Sequence, residues 1–286
     1  AANGADVNEV GRKQLRLKIG ELEGTERRFR EYFDRLADAI PNDLPEDAAL
    51  EDKVIHEFNR DKHLDSAAAV DHVQFMVDRG WMMDAETSNR VAGAGFTCLR
   101  GTGAAFEHAL TAYAIRAAVN AGFELVTVPD LVHDQVVSLS GFHPRSDSPE
   151  DPVFRVPADG LALAGTAELP LAAMQRDTIY KEELPRRFVA LGHAFRREVG
   201  HSGRASRGLY RLHQFTKVEL FSTCSAEQAA AEFEWLCGFQ LRLISSLGFH
   251  GRQLEMGARE LGASAFRKRD IELWLPHSRR FGEVTS

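Results

Sequence analysis

The residues best suited to chemistry lie in one stretch, FRREVGHSGRASRGLYRLHQFTKVELF, from Phe195 to Phe221. A fixed guanidinium such as that of Arg196 can stabilise charge on phosphate oxygens through paired hydrogen bonds. A phenylalanine such as Phe215 can stack on a base. Taken singly, however, Arg196 is typical of a surface ion pair and Phe215 of a core side chain.

A second segment, LALAGTAELPLAAM, ends at Met174 and contains Thr166, Ala167 and Glu168. A carboxylate with a hydroxyl beside it suits the ammonium group of a small zwitterion. The commoner meaning of such a tripeptide is a helix N-terminus, with Thr166 as the cap and Pro170 in the first turn. Both interpretations stay open on the residue types alone.

Strands and helices must position these segments. Two strands, 187–195 and 213–221, are predicted to form a long antiparallel hairpin around the loop HSGRASRG. Residues 153–156 and 161–163 predict a second hairpin, and further strands are predicted at 123–128 and 271–275. A helical stripe runs over 104–120, and Ser225 with Gln228 forms a capping-box pattern at the start of another helix. Without GxGxxG or a Walker loop, this order predicts an α+β domain.

The N-terminal part differs from the rest in charge and periodicity. Between residues 11 and 40, eight basic residues outnumber six acidic ones, although the whole chain carries a formal charge of −7. A solvated helix face is the simplest meaning of this charge. Apolar spacings of four and three predict a coiled-coil helix that ends before Pro41 and needs a partner. Its seam is Leu15, Ile19, Leu22, Glu26, Phe29, Phe33, Leu36 and Ile40.

Composition sets further bounds. The chain of 286 residues can bury one large core plus an appendage. It has no apolar run of about 18 residues, so no membrane-spanning helix is expected. The three cysteines have no CxxC spacing, which indicates neither a disulfide framework nor a thiolate zinc site. We predict an arm at 1–45, a linker at 46–70 and the main domain at 71–286.

The stretch from Phe195 to Phe221 resembles motif 2 of the class II aminoacyl-tRNA synthetases, and RGLYRLHQFTKVE resembles the seryl version. The resemblance implies a class II antiparallel sheet flanked by helices. It also implies catalysis by Arg196 as the clamp on the ATP α-phosphate and by Glu198 as the adenine acceptor. Arg197 and Phe215 complete this part of the ATP site, Phe215 by stacking on the adenine. We expect Glu198 to share a strand face with Arg196.

The same resemblance extends to the segment of Thr166, Ala167 and Glu168, which is similar to the seryl family's serine-binding loop. Glu219 is implied as a second serine-facing carboxylate. Such a site rejects alanine and glycine, because its buried polar groups stay unpaired without the substrate hydroxyl.

The last 22 residues, AFRKRDIELWLPHSRRFGEVTS, resemble the family strand before its Mg²⁺ and ATP contacts. Glu283 and Ser286 are implied as oxygen ligands of Mg²⁺, and Glu283, Val284, Thr285 and Ser286 as ATP contacts. FGEVTS is similar to the organellar branch, which implies the mitochondrial matrix, with the cytoplasm as the alternative. For Asp270 and Glu272 we favour a buried charge network with nearby arginines.

The helix at 104–120 and the strand ending at Pro129 resemble motif 1, which implies a homodimer. In the family the arm is a two-helix coiled coil that contacts tRNA, and only its second helix is matched here. We expect motif 3 to lie downstream of Ser286, and therefore the chain to be cut short at both ends. Serine-dependent pyrophosphate exchange is then expected to be absent from these 286 residues and restored by the downstream segment.

The resemblance as a whole implies a serine–tRNA ligase that uses ATP and Mg²⁺ and acts on serine and tRNA(Ser). Two alternatives stay open: an inactive relative that serves as a dimerisation or RNA-binding module, and an amino acid:carrier protein ligase with a zinc site. The set of acidic and basic site residues favours the ligase, since a binding module has no need of them together.

Overall fold

The computed structural model describes residues 3–38, 40–64, 69–139, 152–176, 178, 184–198, 208–262 and 264–286. The chain divides into two compact units, Ala1–Asp43 and Leu44–Ser286. Most of the predicted loop at 141–152 and the loop HSGRASRG up to Arg207 lie outside the described residues. None of the helices over the described ranges combines the length and hydropathy needed to cross a membrane.

The first unit is the helix α1, Asn3–Asp38. It confirms the predicted helix, although it begins twelve residues before the seam at Leu15 and ends just before Pro41. The seam side chains are exposed, Phe29 and Phe33 each by 70%. The coiled-coil pairing of this helix stays a prediction.

The hairpin expected around the cationic loop is present as β6, Arg186–Phe195, and β7, Gln214–Thr223. The strands pair antiparallel from Arg186 opposite Thr223 to Phe195 opposite Gln214, and β2, Glu124–Val126, adds to β6 in parallel. Three small residues of β6, Ala190, Gly192 and Ala194, lie opposite Glu219, Lys217 and Phe215. This leaves space beside the β7 side chains on that face of the sheet.

A second sheet has the order β3, β5, β4, with all neighbours antiparallel. Its strands are Leu131–His133, Leu161–Leu163 and Arg155–Val156 for β3, β5 and β4, and the pairing of β4 with β5 confirms the second predicted hairpin. Helices α5, Asp134–Leu139, and α6, Glu168–Gln175, follow β3 and β5. Val132, Val137, Val153, Ala162 and Leu169 form the buried core here.

The third sheet is antiparallel in the order β1, β8, β9, β10. The strands span Lys53–Phe58, Gly251–Glu255, Arg269–Leu275 and Arg280–Thr285. The expected strand at 271–275 is therefore confirmed. The region 46–70, expected as a linker, contains the strand β1. This strand was not predicted because KVIHEF is a mostly exposed edge strand, without a buried face that sequence periodicity could reveal.

Four further helices lie in the described part of the chain: α2, His72–Asp78, α3, Ala85–Ala92, α4, Thr102–Asn120, and α7, Ala229–Ser245. Both α4 and α7 confirm predicted helices. At the start of α7 the Ser225 N–H donates to the side-chain oxygen of Gln228 at 3.0 Å, which is one half of the expected capping box. Ala118, Phe123, Val189 and Phe239 join α4, β6 and α7 in one core. The α+β prediction is confirmed.

Candidate active site

One cleft of about 2620 Å³ brings together residues from four parts of the chain that are distant in sequence. We call it the central cleft. The predicted site residues among its lining are Thr166, Glu168, Arg196, Glu198, Phe215, Glu219, Glu283, Val284, Thr285 and Ser286. The four sequence segments that carry the predicted site residues therefore contribute to a single site.

Arg196 follows directly after β6 and is held at both its backbone and its side chain. Its N–H donates to the His213 carbonyl at 2.9 Å, and its Nε donates to the Gly165 carbonyl at 3.1 Å. The guanidinium carbon lies 5.2 Å from the centroid of the Phe215 ring. These contacts fix a cation inside the cleft beside an aromatic face. The interpretation of Arg196 as a surface ion pair is therefore wrong.

Glu198 reaches the cleft by a different route from the one expected. β6 ends at Phe195, and Glu198 has a φ of 48°, so strand alternation does not extend to it. The expectation that it shares a strand face with Arg196 is wrong for this reason. Its Oε2 accepts a hydrogen bond from Arg211 at 3.0 Å. Glu198 and Arg211 both line the central cleft.

Thr166 does not cap a helix. The residue before α6 is Ala167, and the Thr166 hydroxyl donates instead to Oε2 of Glu219. Thr166 is almost fully buried, with 5% of its surface exposed. The threonine and Glu219 thus form a connected pair at the wall of the cleft, as expected for a site that binds a small polar ligand.

Lys217 joins this pair and was not among the predicted site residues. Its Nζ lies 3.0 Å from Oγ1 of Thr166 and 2.9 Å from Oε2 of Glu219. The signal was present in the sequence, since Lys217 and Glu219 are two apart on a strand and share a face. Arg211, the partner of Glu198, was also missed. It lies at the end of the loop before β7, where residue spacing does not predict which way a side chain points.

Glu168 projects from the start of α6 into the cleft. Surrounding protein raises its pKa by desolvation, the charge of Glu219 raises it further, and Lys217 and Arg196 oppose both effects. Water reaches the Glu168 side chain from the open side of the cleft. Glu168 and Glu219 therefore share one wall, where their carboxylates can accept hydrogen bonds from an ammonium ligand, while Lys217 and Arg196 offset part of their negative charge.

The strand β10 contributes Glu283 at another part of the cleft. Glu283 is exposed to solvent, but partial desolvation by the protein around it raises its pKa, Asp270 raises it further, and Lys268, Arg196 and Lys217 oppose the rise. At the end of β10, the Gln240 side-chain amide donates to Thr285 Oγ1 at 3.1 Å and to the Ser286 carbonyl at 3.0 Å.

Asp270 and Glu272 belong to a charge network, as the sequence predicted, although the partner of Glu272 is an arginine and that of Asp270 is a lysine. Lys268 Nζ lies 2.9 Å from Asp270, and Arg252 Nε lies 2.6 Å from Glu272. Asp270 is 4% exposed, and its Oδ1 has no hydrogen-bond partner among the described residues. Within that same part of the chain, no three His, Cys, Asp or Glu side chains are grouped so as to hold a metal ion.

Residues 154–286 match the family model described as tRNA synthetase class II core domain (G, H, P, S and T). The chain belongs to the class II aminoacyl-tRNA synthetases. It is 40% identical over 217 residues to a serine–tRNA ligase of Rubrobacter xylanophilus, a match that covers 76% of this chain and 50% of that protein. The mitochondrial serine–tRNA ligase of Saccharomyces cerevisiae is 33% identical over 252 residues, covering 87% and 56%.

Another serine–tRNA ligase, from Synechococcus elongatus, is 35% identical and matches 99% of this chain and 66% of its own length. Among solved structures, seryl-tRNA synthetase from Pyrococcus horikoshii complexed with ATP has a TM-score of 0.81 at 26% identity, covering 93% of this chain and 64% of that one. The chain thus spans about half the length of the first two curated relatives.

Two of the predicted site residues of this synthetase chain do not line the central cleft. Arg197 is exposed, and its N–H donates to the Pro152 carbonyl at 2.9 Å. Ala167 is 3% exposed and packs in the core with Val128 and Leu171. The geometry assigns Ala167 to supporting the loop, and ATP contact by Arg197 stays a prediction.

Proposed function

We propose that the chain carries the catalytic core of a serine–tRNA ligase, which activates serine with ATP to seryl-adenylate and transfers the seryl group to tRNA(Ser). The observation that carries the proposal is the convergence in one cleft of Arg196 and Phe215 with Thr166, Lys217 and Glu219. The serine–tRNA ligase relatives support it, as does the fold shared with a synthetase that was solved with ATP.

The chemistry assigned to the cleft begins with ATP. The serine carboxylate attacks the α-phosphorus and pyrophosphate leaves, so negative charge builds on the α-phosphate oxygens. A guanidinium already held by the Gly165 carbonyl, on a backbone that is held by the His213 carbonyl, stabilises that charge without reorganising. Phe215 offers a ring face to the adenine, while Glu198 is available to accept its amino group.

The serine end lies at Thr166, Glu168 and Glu219. A carboxylate at this wall binds the serine ammonium, and an oxygen acceptor binds the side-chain hydroxyl. Holding both groups aligns the carboxylate for attack, which lowers the entropic part of the barrier.

We also propose that Glu283 and Ser286 hold Mg²⁺. Glu283 supplies a hard oxygen donor at the cleft, and the negative charge of Asp270, whose buried Oδ1 has no hydrogen-bond partner among the described residues, acts on it, so a divalent cation would relieve this acidic environment. Mg²⁺ commonly takes few protein ligands and completes its shell with phosphates and water. When bound, the ion would neutralise phosphate charge.

Three further proposals concern partners and location. The basic residues of α1 favour contact with tRNA, and a related fold was solved with a tRNA, namely A. aeolicus tRNASec with M. kandleri SerRS.

On α4, Phe106 and Leu110 are 63% and 52% exposed, which favours a homodimer interface there. The mitochondrial yeast relative and FGEVTS favour the mitochondrial matrix.

Calorimetric titration with ATP and Mg²⁺ tests the nucleotide end of the cleft. We expect Arg196→Ala and Phe215→Ala each to weaken ATP binding by roughly 10-fold or more, because a charge-assisted contact or a stacked ring is worth about 1–3 kcal/mol. Arg90→Ala is the matched control, since Arg90 forms an exposed pair with Glu86 outside the cleft. No ATP binding by the unaltered chain would instead favour an inactive module.

A further inference from the structure

The wall of the central cleft at Thr166 contains a closed triangle of polar atoms. Lys217 Nζ contacts Oγ1 of Thr166 at 3.0 Å and Oε2 of Glu219 at 2.9 Å, and the threonine hydroxyl donates to that same carboxylate oxygen. Lys217 stands opposite Gly192 on β6, which has no side chain to compete for the space beside it. The Lys217 side chain is 31% exposed, which places it at the cleft wall.

The triangle fixes which atoms can still form hydrogen bonds. An ammonium group has three donors and no acceptor, and a hydroxyl has a single proton. Because Lys217 can only donate to Thr166, the threonine proton is committed to Glu219. The Thr166–Glu219 pair is left with the remaining lone pair of Thr166 and the second oxygen of Glu219, and both are acceptors, while the third N–H of Lys217 is a donor beside the pair.

We propose that Lys217 is a specificity-determining positioning residue that makes the pair of Thr166 and Glu219 an acceptor-only surface for donor groups of the substrate. The inference rests on the proposed serine ligase function. Serine fills such a surface with N–H and O–H donors. Alanine leaves an acceptor unpaired, and a buried unpaired polar group costs about 1–3 kcal/mol.

The charge of Lys217 has a second effect on the same wall. Glu168 carries a raised pKa from desolvation and from Glu219, while Lys217 and Arg196 lower it. Among the residues that the structure describes, the charged groups that act on Glu168 are Glu219 and Lys217 on β7 and Arg196 after β6, and Lys217 and Arg196 also act on Glu283 of β10. Removing Lys217 therefore raises the pKa of Glu168 further, so that its protonation begins at higher pH.

The test is calorimetric binding of L-serine and L-alanine to the full chain from pH 5.5 to 8. We expect Lys217→Met, a change of similar length, to weaken serine binding by roughly 10-fold or more and to reduce the preference for serine over alanine. The loss of serine affinity on acidification should start at higher pH than in the unaltered chain. Lys217→Arg keeps a donor-only cation and should restore the original pH profile.

Lys62→Met is the matched control, because Lys62 is an exposed lysine paired with Asp61. It should leave serine binding and the pH profile unchanged. If Lys217→Met reduced affinity but left both the serine preference and the pH profile unaltered, or changed nothing, the role of Lys217 would be overturned and the proposed function would stand. Absence of serine binding by the unaltered chain would overturn both.

Discussion

Outside the cleft, Arg187 and Glu232 form an ion pair that alters the pKa values of both side chains. Two hydrogen bonds join them, at 2.6 and 2.7 Å, Ser222 donates to the same glutamate, and the guanidinium stacks 3.7 Å from the centre of the Trp235 ring. Glu232 is 6% exposed, so this pair links β6, β7 and α7 under little solvent screening.

We predict that Glu232→Gln destabilises the fold by about 1.5–3 kcal/mol at pH 7, because it leaves a partly buried guanidinium without its anion. Arg187 holds the pKa of Glu232 below its usual range. A carboxyl with a lowered folded pKa stabilises the protein above its unfolded pKa and loses that contribution as the pH falls through the folded value. In urea unfolding, the difference in the free energy of unfolding between Glu232→Gln and the unaltered chain should therefore become smaller towards pH 3.

Glu86→Gln provides the comparison, since Glu86 and Arg90 are 87% and 63% exposed in their ion pair. Such pairs contribute about 0–1 kcal/mol. Equal effects of the two substitutions, or a Glu232→Gln effect that does not vary with pH, would contradict this account.

At the scale of elements, the site depends on how closely the loop before α6 approaches β6. A Cβ atom at Gly192 would lie 3.0 Å from the Cβ of Ala167, which is nearer than most carbon contacts. Ala167 is itself fully buried between Thr166 and Glu168. The glycine therefore allows the loop to place both site residues against β7.

We predict that Gly192→Val displaces this loop, lowers stability by about 1–3 kcal/mol through overpacking, and weakens serine binding more than ATP binding. Binding titrations alongside urea unfolding would measure both effects. Gly20→Ala on α1 is the control, because nothing lies within 4 Å of its added carbon. Equal losses for serine and ATP would mean that Gly192 supports the sheet generally and not the serine end.

The elements around the cleft could largely be predicted from the sequence. β6 and β7 were expected within two residues of their observed ends, because their apolar patterns flank a loop rich in glycine and serine. β1 was missed, since a strand at a sheet edge that is mostly exposed has no periodic signal. The contact of Lys217 with Thr166 and that of Arg211 with Glu198 depend on how loops and separate strands come together, which local spacing does not encode.

At the scale of the whole molecule, the central claim is that one cleft in the unit Leu44–Ser286 binds the nucleotide and the amino acid together. Thr166, Arg196, Glu219 and Glu283 span more than a hundred residues of sequence and still contact one space. The resemblance to the seryl family identified these residues one segment at a time. Their convergence required the fold, because β6, β7 and β10 belong to two different sheets.

Binding of a non-hydrolysable sulfamoyl analogue of seryl-adenylate tests this claim most directly. If the two ends form one site, the linked analogue should bind at least about 100-fold more tightly than either serine or ATP, since the second contact becomes intramolecular. A chain saturated with the analogue should then bind neither serine nor ATP. Affinity no greater than that of ATP alone, or serine binding to the saturated chain, would contradict the account.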